Sequence, residues 1–145
     1  MYKVMIVDDE PIIKQGLLCF VNWESLDCEV ICDAQNGIDA IEKLALHSVD
    51  IVLTDVKMPG MNGLELSKFI YENYPSVKVI ILTAFSDFSY AQTAIKYNVL
   101  DFVIKTNPTE KIPDAIIKAK TLIAQEKEKE EKLKLMEQKA NMRLS

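Results

Sequence analysis

Short apolar runs alternate with longer stretches of mixed polarity along the first 120 residues of the chain. The runs are YKVMIV (2–7), CEVICDA (28–34), VDIVLT (49–54), VKVIIL (77–82) and LDFVI (100–104). Each is 5–7 residues long and rich in Val and Ile, which predicts buried strands. Between them apolar residues recur at helical spacing, from Pro11 through Val21, Asn36 to Leu46, Asn62 to Tyr74, Phe88 to Tyr97, and from Ile112 onward. Pro11 suits the first position of a helix, where its missing N–H costs nothing. Trp23 is expected to plug the end of the first helix, and His47 to close the second.

Strands alternating with helices predict a parallel sheet covered on both faces. Right-handed crossovers then leave few topologies. For five strands the expected fold class is α/β, a flavodoxin-like (βα)5 doubly wound sheet in the order 2-1-3-4-5, with an extended C-terminal helix. Such a sheet has a switch point between strands 1 and 3, and its crevice opens beyond the carboxyl ends of the strands.

The residues at those ends carry chemistry. Strand 1 ends in Asp8-Asp9, with Glu10 next; strand 3 in Asp55, strand 4 in Thr83 and strand 5 in Lys105. Two readings of the acid run stand at this point. Acids are favoured at a helix N-terminus, and carboxylates crowded in one crevice also favour a hard cation. Mg²⁺ with oxygen ligands would offset their repulsion, while Lys105 would offer a fixed positive charge and Thr83 a hydroxyl. Asp55 stands alone at its strand end ahead of Lys57-Met58-Pro59-Gly60, a tight turn. A carboxylate so placed can act as a nucleophile toward phosphorus.

Composition narrows the function classes. A single domain of 145 residues can bury a sizeable core. No apolar run approaches membrane-span length, and the N-terminal run is too short for a signal peptide, so a cytoplasmic location is expected. Cys19, Cys28 and Cys32 lack paired spacing and read as reduced core residues. The net charge of −5 is unevenly placed. Residues 1–117 hold nine Lys/Arg against seventeen Asp/Glu, and residues 118–145 hold eight against five. An acidic body argues against direct nucleic-acid binding by this fragment.

IVDDEP, LTDVKMPGMNG, ILTA and DFVIK, in this order and at these strand ends, resemble the receiver domain of two-component response regulators. NWESLDCEV and FSDFSYAQTAIKYNVLDF are similar, more narrowly, to receivers attached to AraC-type DNA-binding domains. The resemblance covers residues 1 to about 120. It implies a phosphoacceptor switch, not an enzyme, in which Asp55 takes a phosphoryl group from a sensor histidine kinase. It implies that Asp9 binds Mg²⁺ directly, that Asp8 helps partly through water, and that Asp55 and the backbone carbonyl of Lys57 complete the metal site. Thr83 and Phe102 match the family's switch pair, and Lys57 and Phe85 occupy the positions that tune hydrolysis. One departure is that Lys105 is followed by Thr106, where the family has Pro, which leaves the loop to Pro108 undetermined.

Rival chemistries fit less well. A flavodoxin needs a Ser/Thr/Gly-rich phosphate loop after strand 1, where this chain has DDEP. A haloacid-dehalogenase-type phosphatase carries its nucleophile after strand 1 in a D-x-D pattern that Asp8-Asp9-Glu10 lacks. A receiver-like module that never takes phosphate would be marked by a missing acceptor or Lys, and both are present.

Beyond Ile123 the stretch QEKEKEEKLKLMEQKANMRL continues without Gly or Pro. The expected organisation is a receiver over 1–122 and a helical linker over 123–145 toward an output domain, an AraC-type helix-turn-helix, with homodimerisation open. Leu133, Met136, Ala140 and Leu144 suit a short coiled-coil seam, while Gln125–Lys132 has no apolar residue and is expected to fray.

Overall fold

The computed structural model describes residues 1–83, 94–104 and 108–144, with the backbone alone at 108, 109 and 144. Five parallel strands, β1 (Tyr2–Val7), β2 (Cys28–Ala34), β3 (Ile51–Asp55), β4 (Lys78–Thr83) and β5 (Asp101–Ile104), form one sheet in the order β2-β1-β3-β4-β5. Helices α1 (Pro11–Phe20), α2 (Gly37–Leu46) and α3 (Gly63–Asn73) follow the first three strands, and a C-terminal helix spans Pro108–Leu144. The fourth expected helix falls mostly outside the described residues; 94–96 are helical.

Alternation along each central strand sorts the core into two halves. Val4, Ile6, Ile51, Leu53, Ile80 and Leu82 face α1 and the C-terminal helix, meeting Leu17, Ile112, Ala115, Ile116 and Ala119. Met5, Val7, Val52, Val79 and Ile81 face α2 and α3, meeting Ala40, Leu44, Leu66 and Ile70. Central strands covered on both faces need continuous apolar runs, which is why IVL and VIIL show no polar alternation. Trp23 closes the end of α1, where its indole N–H donates to the carbonyl of Leu17 at 3.0 Å.

Several boundaries differ from the sequence reading. β3 begins at Ile51 and not Val49, because Val49 is buried from the connection ahead of the strand. β4 likewise starts at Lys78. The last helix begins at Pro108, four residues before Ile112: Pro108 takes the first position just as Pro11 does, and Pro113 lies inside the helix. Cys19 is exposed, correcting its assignment to the core, since it sits on the outer side of α1. Burial pushes the Cys28 and Cys32 thiols up, so both favour the unreactive protonated form.

The C-terminal helix runs unbroken through the stretch expected to fray. Its buried face ends at Ile123. Three lysines tie its docked half to the sheet end. Lys120 Nζ donates to the carbonyl of Leu26 at 2.6 Å and lies 5.7 Å from the centre of the Tyr2 ring. Lys118 Nζ reaches the carbonyl of Leu100 at 3.3 Å. Lys78, 6% exposed at the start of β4, pairs with Glu126 at 2.6 Å. Farther out, Glu128–Lys132 and Glu130–Lys134 pair one turn apart, the Glu N-terminal as the helix dipole favours. No helix among the described residues is long and apolar enough to cross a membrane.

Candidate functional site

Two adjacent strands deliver the acids to one place. β1 ends at Val7, and the next residue, Asp8, donates its backbone N–H to the carbonyl of Ala34 at 3.0 Å. Asp8 is fully buried, and its Oδ1 accepts the backbone N–H of Glu10 at 2.9 Å. That contact folds the chain so that Asp9 and Glu10 stand exposed at the rim and Pro11 starts α1. Asp55, the last residue of β3, is 7% exposed. Carboxylate oxygens of Asp8, Asp9, Glu10 and Asp55 all lie within 4.8 Å of one another.

The turn after Asp55 is fixed from both sides. The Val56 N–H donates to Asp55 Oδ1 at 2.7 Å, which orients the carboxylate, and the Thr54 hydroxyl donates to the Asp55 carbonyl at 2.9 Å. The chain then turns back through Gly60, whose φ of 77° is a left-handed conformation that suits glycine. Asn62 caps α3: its side chain accepts the Glu65 N–H at 2.9 Å, and the Glu65 carboxylate reaches back to the Asn62 N–H at 3.5 Å. Gly63 follows, and its N–H donates to the Val56 carbonyl at 2.9 Å. A β-carbon at Gly63 would sit 2.0 Å from the Asp55 carbonyl oxygen, so the start of α3 rests directly on the backbone of the acceptor candidate.

The other expected site residues divide into placed and undescribed. Thr83 ends β4, half-buried, in register with Ile104. Phe102 pairs in register with Ile81 on the same sheet face as Thr83, and its ring is half-buried against the α2–α3 side of the core. Lys57 is exposed and lines an open groove of about 420 Å³ together with Val56, Met58, Pro59 and Asn62. Lys105 and Phe85 lie outside the described residues, as does the rest of the loop to Pro108.

Sequence reasoning took Asp8, Asp9 and Asp55 as the acid set and passed over Glu10 as a member. The signal was its spacing two residues from Asp8, the separation at which an Asp side chain takes a backbone N–H. It also passed over Gly63, although N-G-L-E is a readable cap. Four carboxylates form an all-oxygen donor set of high negative charge, which fits a hard divalent cation such as Mg²⁺ and would not suit a soft metal.

A family profile described as the response regulator receiver domain matches residues 4–117. Among curated proteins, a transcriptional regulatory protein of Bacillus subtilis, YesN, is 48% identical over 105 residues, covering 72% of this chain and 28% of YesN, which is described as uncharacterised. The transcriptional regulatory protein HptR of Staphylococcus aureus is 36% identical over 105 residues, covering 72% of this chain and 41% of HptR. This chain therefore spans well under half the length of those relatives. Among solved structures, the receiver (REC) domain of AraT, a response regulator from Geobacillus stearothermophilus, superposes with a TM-score of 0.79 at 36% identity, covering 87% of this chain and 98% of that one. A two-component transcriptional regulator, AraC, from Clostridium phytofermentans gives 0.79 at 35% identity over 86% of this chain and 97% of that one.

Proposed function

We infer, from the premise that this chain belongs to the response regulator receiver domain family, that Asp55 is its phosphoacceptor and that Asp8 and Asp9 help seat the Mg²⁺ its phosphorylation requires. Phosphorylation is the family's mechanism, and the family is a phosphoacceptor switch. The observation that carries the residue assignment is the convergence of four carboxylates from two strand ends around a buried, oriented Asp55. Cation binding by Asp8, Asp9, Asp55 and the Lys57 carbonyl would supply charge compensation for the incoming phosphoryl oxygens.

The reaction is a group transfer from a phosphohistidine of a sensor kinase. An oxygen of the Asp55 carboxylate forms a bond to phosphorus, the P–N bond to the imidazole breaks, and the imidazole leaves as a neutral group after taking a proton. The Val56 N–H holds the Asp55 carboxylate in one orientation through this step. Lys105 would pair with the transferred group, Thr83 would donate its hydroxyl to it, and Phe102 would turn inward as Thr83 moves. Transmission then passes through the C-terminal helix. We read residues 1–122 as the receiver and 123–145 as a linker to an output domain, an AraC-type DNA-binding unit, in a cytoplasmic transcription regulator. The acidic body leaves DNA contact to that unit.

Incubation with acetyl phosphate and Mg²⁺, followed by intact-mass measurement, tests the reading directly. Asp9→Ala should need about tenfold or more Mg²⁺ for half-maximal phosphorylation, with a matching loss of affinity in calorimetric titration with MgCl₂. Unchanged Mg²⁺ affinity would remove Asp9 from the metal site. A further expected outcome concerns lifetime. Lys57 and Phe85 place a long cation and a bulky ring at the positions that admit water in this family, so the acyl phosphate should persist for many minutes or longer. Phe85→Ala should shorten it; a half-life of seconds in the wild type, unaffected by that change, would contradict the assignment.

A further inference from the structure

Beyond the Lys78–Glu126 pair the described side chains of the C-terminal helix are exposed, and the helix extends roughly 27 Å farther at 1.5 Å per residue. A solvated helix of that length is marginal alone. Its exposed residues nevertheless carry a pattern. Leu133, Met136 and Ala140 recur at spacings of three and four, the a, d, a positions of a heptad. In that frame Lys132 and Lys139 occupy g, while Glu130 and Glu137 occupy e.

We propose that residues 129–144 pair with the same segment of a second copy of this chain as a parallel, in-register two-stranded coiled coil. The charges select both partner and orientation. In a parallel homodimer each g residue faces the e residue five positions on in the other copy, so Lys132 meets Glu137 of its partner, twice by symmetry. An antiparallel pairing would set g against g and e against e, bringing Lys132 to Lys139 and Glu130 to Glu137. Both of those contacts repel. Within one chain Lys132 pairs with Glu128 at 3.5 Å, an exposed contact that leaves it able to exchange partners. Leu135 and Met142 stand off the seam and take no part in it.

The root of the seam is fixed. Lys78–Glu126 and Lys120–Leu26 hold the helix on the body just before the heptad pattern begins, so the two receivers would sit in a set relation to the coil. Lys129 and Arg143, both at d, are polar seam residues, which fix register and weaken the pair. Three apolar layers make a small interface, and association of this chain alone should be weak. The proposal rests on the linker reading of this helix and not on the phosphoacceptor.

Disulfide trapping in the 145-residue chain with Cys19→Ser, which removes the exposed thiol, tests it. Met136→Cys should form disulfide dimers at least about tenfold faster than Glu131→Cys, which points away from the seam at f. Lys132→Glu should slow trapping at Met136→Cys, and adding Glu137→Lys should restore it. In an equal mixture of Leu133→Cys and Ala140→Cys chains, like should cross-link with like. Equal rates at Met136→Cys and Glu131→Cys, no effect of Lys132→Glu, or a majority of mixed dimers would each overturn the proposal. Phosphoryl uptake on Asp55, measured in the same variants, should stay at the wild-type level, so failure of the coil is separable from failure of the site.

Discussion

Asp55→Asn should take up no phosphoryl group from acetyl phosphate in Mg²⁺ while folding as well as the wild type. The substitution keeps the size of the side chain and an oxygen to accept the Val56 N–H, so the turn after β3 is preserved. What it removes is the anionic nucleophile and one of four negative charges whose oxygens lie within 4.8 Å of one another. Coulomb repulsion at such a distance is on the order of 1–3 kcal/mol once the exposure of Asp9 and Glu10 is allowed for. In chelator the variant should therefore melt at or above the wild-type temperature. Added Mg²⁺ should raise the wild-type midpoint more than that of the variant, since the cation binds only the folded acid cluster. Wild-type uptake by Asp55→Asn would move the acceptor elsewhere. A large loss of stability in chelator would mean that the carboxylate is held by attraction and not crowded by repulsion.

Gly63→Ala should be as damaging to the site as to the fold. Helix propensity alone favours the change by up to about 1 kcal/mol. Against that, the new β-carbon would lie 2.0 Å from the Asp55 carbonyl oxygen, 2.9 Å from its carbonyl carbon and 3.1 Å from the Val56 α-carbon. All three are backbone atoms that cannot swing aside as a flexible side chain would. The clash wins: the expected net loss is about 2–4 kcal/mol, on the order of 5–10 °C in melting temperature. Relief must come from moving the start of α3 or the end of β3, and the second displaces Asp55 from the other acids. Phosphoryl uptake should fall with stability. Gly16→Ala is the internal comparison, because among the described residues its added β-carbon meets the Phe20 ring edge alone, at 3.9 Å, in the middle of α1. That variant should gain roughly 0.5–1 kcal/mol. A stabilised Gly63→Ala would show that the approach of α3 to Asp55 is not tight.

The strands were legible because burial on both faces forces unbroken Val/Ile runs, and the acids were legible because they interrupt those runs abruptly. The topology then needed only the handedness of the crossovers to bring strands 1 and 3 together. What stayed hidden was set by contacts that leave little trace in local pattern. Val49 is buried without pairing in β3, so apolarity overstated the strand. The C-terminal helix starts early because Pro108, not Ile112, supplies its first turn. Cys19 looks like its apolar neighbours in sequence, yet it lies on the outer side of α1. Gln125–Lys132 has the composition of a fraying helix, and the pairs with Lys78 at its root and between turns along it accompany its helical form. In the site, the acid cluster followed from strand order, whereas the backing of Asp55 by Gly63 depends on how the intervening turn folds back.

The most direct test of the central claim is chemical mapping of the phosphorylated residue. The chain would be treated with acetyl phosphate and Mg²⁺, reduced with borohydride, which converts an aspartyl phosphate to homoserine, and digested for peptide sequencing by mass spectrometry. Homoserine at position 55 and at no other aspartate, formed only when Mg²⁺ is present, is the expected result. Homoserine at Asp8 or Asp9, or labelling that proceeds equally in chelator, would contradict it.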